Sequence, residues 1–185
     1  MIDEPALSPK EKCLILLKPD CVERKLTGRF LELIETTGLK IIALKMISPS
    51  ENLISEHYAA DHAWLVNAGT KRWKRTHPDQ ELPEKEAVQI GQDIRRFLIE
   101  GLSHHRIIAA VIMGPNAIQY LRKMAGSTEP LSAEPGTLRG TYSTDSYEVA
   151  NIEHRSIQNL IHVSDSVETA EREIKIWFRQ DEIYE

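Results

Sequence analysis

The stretch Asn159-Leu160-Ile161-His162-Val163-Ser164-Asp165-Ser166 runs the end of one regular element into the start of another. Leu160 and Ile161 read as the end of a buried strand over 157–162. Asp165 followed by Glu168 is a D-x-x-E pattern able to cap a helix, predicted over 166–178. Upstream, Arg106 to Met113 supplies Ile107, Ile108, Val111 and Ile112 for a strand, and Gly114-Pro115 turns the chain toward a helix at 116–125. Cys13 to Leu17 make a first strand ending at Lys18-Pro19-Asp20. A helix starts at Thr27 or Gly28, presents Phe30, Leu33 and Ile34, and stops at Gly38. Leu39 to Ile47 form a second strand, broken by Ser48-Pro49-Ser50 before a helix at about 51–60. Residues 61–86 are the least regular part, with helical pieces around Trp64 and Trp73 parted by Pro78 and Pro83; helix resumes over about 87–102. Residues 126–158 read as one long loop, a length that points to function, and residues 1–10 as a tail. The order βαβ(αα)βαβα indicates an α/β (α+β) sandwich with helices packed on a sheet.

A chain of 185 residues can bury one good core, so a single domain is expected. No apolar run approaches membrane-spanning length. Met1-Ile2-Asp3-Glu4-Pro5 has neither the basic start nor the apolar core of a signal peptide, which predicts a cytoplasmic location. Cys13 and Cys21 offer no disulfide framework and no paired metal-ligand spacing. A net charge of −5 argues against a protein that coats nucleic acid. The cluster Lys71-Arg72-Trp73-Lys74-Arg75 has the look of a nucleic-acid patch, with a solvated helix face as the commoner arrangement.

In the last helix Val167, Ala170, Ile174, Trp177 and Phe178 form one apolar stripe, and Glu173 borders it. A carboxylate there is partly buried and needs a partner, unless it makes an ordinary surface pair along the helix. His162, in the strand leading into that helix, is the candidate. A carboxylate on one ring nitrogen would fix the tautomer and leave the other free as a nucleophile. Lys18, Arg122 and Arg139 could supply the cations that a phosphoryl group in transfer needs. Neither G-x-x-x-x-G-K-[ST] nor G-x-G-x-x-G occurs, so phosphate binding would rest on side chains.

Lys18-Pro19-Asp20, His57-Tyr58, Arg122-Lys123-Met124, Pro135-Gly136-Thr137-Leu138-Arg139-Gly140, Asn159-Leu160-Ile161-His162 and Ser164-Asp165-Ser166-Val167-Glu168 together resemble the nucleoside diphosphate kinase family. The segments occur in family order. The resemblance implies a ferredoxin-like antiparallel sheet with helices packed on it, and transfer of a terminal phosphate from a nucleoside triphosphate to a nucleoside diphosphate through a phosphohistidine. It makes His162 the phosphorylated residue, Glu173 the carboxylate that orients its ring, and Ser164 a partner of that carboxylate. Lys18, Tyr58, Arg122, Thr128, Arg139 and Asn159 would hold phosphates and ribose. Ile94 aligns best with the phenylalanine that stacks on the base in typical members, with Phe97 or a tryptophan of the insert as substitutes, and Leu98 is a further nucleotide-binding position. Mg²⁺ held mainly by nucleotide phosphates is the implied cofactor, ATP, ADP and GTP are implied substrates, and a homo-oligomer, hexamer or tetramer, is the implied assembly. Val163 and Cys21 stand where the family usually has glycine. An insertion at about 61–93 and an extended loop at about 126–158 make the chain similar to the longer, archaeal-like members. A pseudoenzyme that binds nucleotide or a partner is the second reading, and a nucleic-acid module using Lys71 to Arg75 a third.

Overall fold

The computed structural model describes residues 10–59 and 61–185. The tail expected at the N-terminus lies outside the described residues except for Lys10, which already belongs to the first strand. Strands β1 (Lys10–Leu17), β2 (Lys40–Ile47), β3 (Ile107–Pro115) and β4 (Ile161–Val163) form one sheet in the order β2-β3-β1-β4. Every neighbouring pair is antiparallel. The chain leaves β1 through helices α1 (Pro19–Glu23) and α2 (Thr27–Glu35) and skips one position before entering β2. The gap is filled by β3. The same skip from β3 to β4 leaves β1 between them, which gives the ferredoxin-like arrangement.

The two central strands carry the apolar runs, because only they have neighbours on both edges. Leu14 to Leu17 and Ile107 to Met113 are all buried. Ala170, Ile174 and Trp177 of α9 (Val167–Trp177) and Phe178 after it join this core. Val167, expected in that stripe, is 52% exposed and instead begins the helix at the surface.

Several other differences arise where polar residues that read as loop cap short helices. The expected loop at 126–158 contains α7 (Leu138–Tyr142) and α8 (Tyr147–Ile152). Thr137 caps α7 by accepting from Gly140 N–H, and Ser146 caps α8 by accepting from Val149 N–H. Pro19 at the first position opens α1, which the motif alone did not indicate. Ser166, not Asp165, caps α9 through the Thr169 N–H at 3.0 Å. The last strand is shorter than predicted, starting at Ile161 rather than 157, because Leu160 has φ 69° and cannot extend a ladder.

Helix α3 (Glu51–His57) matches its prediction, and α6 (Ala117–Ala125) follows β3. Residues 61–86 are more regular than expected. They hold one continuous helix, α4 (His62–Trp73), and the start of α5 (Glu84–Leu102), which follows Pro83. Glycines explain how a largely polar helix docks there. A Cβ at Gly69 would overlap the Ala87 carbonyl, and one at Gly91 would overlap the Leu65 carbonyl, so the two backbones cross at close range. Gly69→Ala should therefore destabilise the protein by about 1–3 kcal/mol through overpacking. A thermal denaturation midpoint equal to wild type would show that the crossing tolerates a methyl group.

Candidate active site

Asn159, Leu160 and Ile161 are the knot on which the site is hung. A left-handed Leu160 costs energy and persists only where its surroundings over-determine it. The end of β1 does so. Lys18 N–H donates to the Leu160 carbonyl at 2.9 Å, and Leu160 N–H donates to Asp20 Oδ2 at 2.9 Å. Lys18 Nζ donates to Asn159 Oδ1 at 2.7 Å, and Asn159 Nδ2 donates to the Thr128 carbonyl at 2.7 Å. Arg139 sends Nε to the Asn159 carbonyl at 3.1 Å, Nη1 to Gly126 at 2.8 Å and Nη2 to Ile161 at 2.6 Å. Burial pulls Lys18 down to about 8 despite the opposing charge of Asp20, and lowers Arg139 to about 10. Both are charged at neutral pH.

Immediately beyond the knot stands His162. Its Nε2 lies 3.1 and 3.0 Å from the two oxygens of Glu173, which is buried. Ser164 Oγ donates to the same carboxylate at 2.6 Å and accepts from Leu14 N–H at 3.2 Å. Burial pushes the Glu173 pKa up, but the hydrogen bonds of His162 and Ser164 and the nearby imidazoles outweigh it and hold the carboxyl below its ordinary value. An ionised Glu173 accepts only, so Nε2 of His162 carries the hydrogen and Nδ1 keeps its lone pair. No hydrogen bond among the described residues engages Nδ1.

His57 is a member of the site to which sequence reasoning gave no role. Trp177 Nε1 donates to its Nδ1 at 3.2 Å, its ring meets that of His162 edge-on at 4.6 Å, and Glu173 Oε1 lies 3.7 Å from Nδ1. Burial first, then His162, lowers its pKa to about 3, so it is a neutral wall of the site. Arg172 braces the same corner by donating to the His57 carbonyl at 3.3 Å. The His57-Tyr58 segment is part of the family pattern but gave His57 no role of its own, and Arg172, beside Glu173 on α9, meets His57 only when α3 packs there.

A cavity of about 580 Å³ opens onto His162. Lys18, Tyr58, Ile94, Leu98, Arg122, Thr128, Arg139, Asn159 and Glu173 all line it, and Ser164 is buried behind Glu173. Phe97 and Trp64 join Ile94 and Leu98 in its lining. Burial raises the Tyr58 pKa, keeping the phenol protonated. Val163 is buried and alternates to the opposite side of β4 from His162, although part of it reaches the lining. Cys13 and Cys21 are buried thiols pushed up to about 12, which makes them packing groups. Lys71, Arg72 and Arg75 line the cavity, Lys71 and Arg75 from exposed positions and Arg72 half-buried.

An imidazole tied by one nitrogen to a carboxylate and open by the other to a cationic cavity is the arrangement of an enzyme that passes a phosphoryl group through histidine. A family profile described as nucleoside diphosphate kinase matches residues 11–65 and 76–183. A nucleoside diphosphate kinase of Pyrobaculum aerophilum is 41% identical over 182 residues, covering 96% of this chain and all of that one. The crystal structure of an NDP kinase from Pyrobaculum aerophilum superposes with a TM-score of 0.89 at 40% identity, over 96% of this chain and 100% of that chain. A transition-state mimic of the nucleoside-diphosphate kinase from Borrelia burgdorferi, with bound vanadate and ADP, has a TM-score of 0.77 at 32% identity, over 95% and 91% of the two chains. The chain belongs to the nucleoside diphosphate kinase family.

Ser164 joins Glu173 to the central strand, so Ser164→Ala leaves a buried carboxylate oxygen and the Leu14 N–H each short of a bond. A loss of about 1–3 kcal/mol in denaturant unfolding is expected. An unchanged midpoint would mean that neighbouring groups replace the hydroxyl.

Proposed function

We propose that His162 Nδ1 is the phosphoryl carrier in a nucleoside diphosphate kinase reaction. The γ-phosphate of a nucleoside triphosphate passes to a nucleoside diphosphate in two half-reactions through one pocket. The observation that carries this reading is the pair of contacts from His162 Nε2 to Glu173, which leaves Nδ1 unprotonated on a ring that lines the same cavity as Lys18, Arg122 and Arg139. In the first half-reaction the Nδ1 lone pair forms an N–P bond as the bond from Pγ to the bridging oxygen breaks. That electron pair leaves on the diphosphate. The ring keeps its Nε2–H on Glu173, whose negative charge offsets the positive charge gained by the imidazole. The acceptor diphosphate then attacks the same phosphorus, and Nδ1 recovers its lone pair.

Lys18, Arg122 and Arg139 neutralise the phosphates, while Tyr58, Thr128 and Asn159 hold phosphate and ribose oxygens. Ile94 and Leu98, with Phe97, give the base an apolar wall, which suits a pocket that serves several bases. Mg²⁺ prefers oxygen ligands and retains several waters. The residues fit that habit. Glu173 is committed to His162 and Ser164, and Asp165 is the lining carboxylate left without a bond among the described residues, able to hold a water of the ion's shell. Bound with the nucleotide, the ion would supply charge neutralisation.

The reading extends to one catalytic domain over 1–185, with ATP, ADP and GTP among its nucleotides. A homo-oligomer, hexamer or tetramer, is supported by Leu44 and Met46, half-exposed on the edge strand β2. A cytoplasmic location is supported by two buried, unpaired thiols. No helix among the described residues is long and apolar enough to cross a membrane.

Incubation with γ-labelled ATP and Mg²⁺ should give an acid-labile, alkali-stable label on wild type and none on His162→Ala. Label that survives the substitution would remove His162 from the role. A second measurement concerns Lys18, whose free pKa of about 8 must rise when its ammonium meets a phosphate. ADP binding should be insensitive to pH below 8 and weaken above it by up to about tenfold per unit, with proton uptake on binding. Flat affinity from pH 7 to 10 would exclude contact between that ammonium and the phosphates.

A further inference from the structure

The insert helix brings charge into the cavity that the reading above does not use. Trp64, Ala68, Lys71, Arg72 and Arg75 follow one another at helical spacing along α4 and the turn after it, and all five line the cavity. The three cations lie within 66–75, the segment that the family profile leaves unmatched.

Within the protein their charges are unanswered. Among the described residues, neither Lys71 nor Arg72 has a hydrogen bond or ion pair, and Arg75 only rests its guanidinium over the Tyr147 ring at 3.3 Å. Asp93, whose charge reaches Arg72, is bonded to Arg96 at 3.2 Å. Arg122, which the transfer reaction uses, is likewise without a partner among the described residues, whereas Arg155 binds Asp145 at 2.6 Å and Arg139 holds its carbonyls. Arg72 is half-buried, and burial together with the neighbouring Arg75 disfavours its charge. Clustered like charges, one of them partly desolvated and none paired with an anion, are unfavourable until a ligand supplies one. Two of the three are guanidinium forks, whose geometry matches phosphate oxygens. Arg72 and Arg75 also stand with Thr128, Tyr147 and Asn151 around the adjoining hollow, which Phe97 and the carboxylates Asp93, Glu129 and Glu148 line as well, so the patch abuts Thr128 of the phosphate-holding wall.

We infer that Lys71, Arg72 and Arg75 form a second phosphate subsite of this cavity, for a phosphoryl group that is not the one transferred. The inference rests on the nucleotide-kinase reading of the same pocket. Its ligand is a polyanion carrying phosphate beyond an ordinary diphosphate, either a nucleotide with an additional phosphate ester on its sugar or a free oligophosphate chain.

Titration calorimetry on the full chain tests it with ADP, ADP bearing a further 3′-phosphate, and tripolyphosphate. Each is run on wild type and on the Arg72→Gln/Arg75→Gln double variant, with the thermal midpoint checking the fold. The extra ester should tighten binding about tenfold over ADP at low salt, and the double variant should erase that gain. ADP affinity should change by less than about threefold in the variant. Variant-sensitive binding of tripolyphosphate without a gain from the ester would identify the free chain as the source. The inference is overturned if neither polyanion responds to the substitutions, or if ADP weakens as much as the extended ligand. Labelling of His162 from ATP separates the two readings: its failure in wild type sinks the kinase assignment, whereas labelling without any gain sinks the subsite alone.

Discussion

A single residue held in a costly conformation organises this molecule. Leu160, at φ 69°, ends the approach to β4 with a kink that an unconstrained leucine would avoid. Lys18 and Asp20 grip both of its backbone polar groups, and through that grip the end of β1 fixes where β4 begins. Asn159 and Ile161, on either side of the kink, bind Lys18, Thr128 and Arg139. One local distortion thereby brings cations from distant parts of the chain beside His162. Arg139 gives three of its N–H groups to main-chain carbonyls, so it is rigid as well as charged, and a rigid charge needs little reorganisation when a phosphate arrives.

Burial of Glu173 is the second constraint, and it works in the opposite sense. A carboxylate in the core is tolerated only when its oxygens are fully bonded. Ser164 and His162 provide those bonds, and the arrangement that keeps Glu173 ionised also selects the tautomer of His162. Stability and reactivity thus share the same hydrogen bonds. His57 completes the enclosure as a neutral imidazole: it crowds His162 from the side while Trp177 occupies its Nδ1.

The insert alters the cavity without altering the sheet. Its helix docks because Gly69 and Gly91 let two backbones cross closely. The face along the cavity adds Trp64 and three cations, of which Lys71 and Arg75 stay exposed, to its lining. Contact between Arg75 and Tyr147 links the segment that the family profile leaves unmatched to α8.

Periodicity alone conveyed much of this architecture. The apolar runs of the central strands and the stripe in the last helix are local patterns, set by alternation and by 3.6-residue spacing, and the structure keeps them with shifts at their ends. Short motifs around Lys18, Arg122, Arg139 and Asn159 to His162 likewise named most of the cavity's polar lining, since each is contiguous in the chain. What stayed hidden depends on neighbours distant in sequence. Nothing near Leu160 announces its positive φ, because Lys18 and Asp20 impose it. His57, though part of a motif, and Arg172 show their roles only when α3 and α9 are packed together, and the exposed basic cluster at 71–75 is placed at the cavity mouth only when α5 fixes the rotation of α4. The sequence by itself determined which elements form and which groups could do chemistry, through patterns a few residues long. Only the tertiary structure decided which groups meet, because burial, strain and the pairing of charge are properties of the assembled whole.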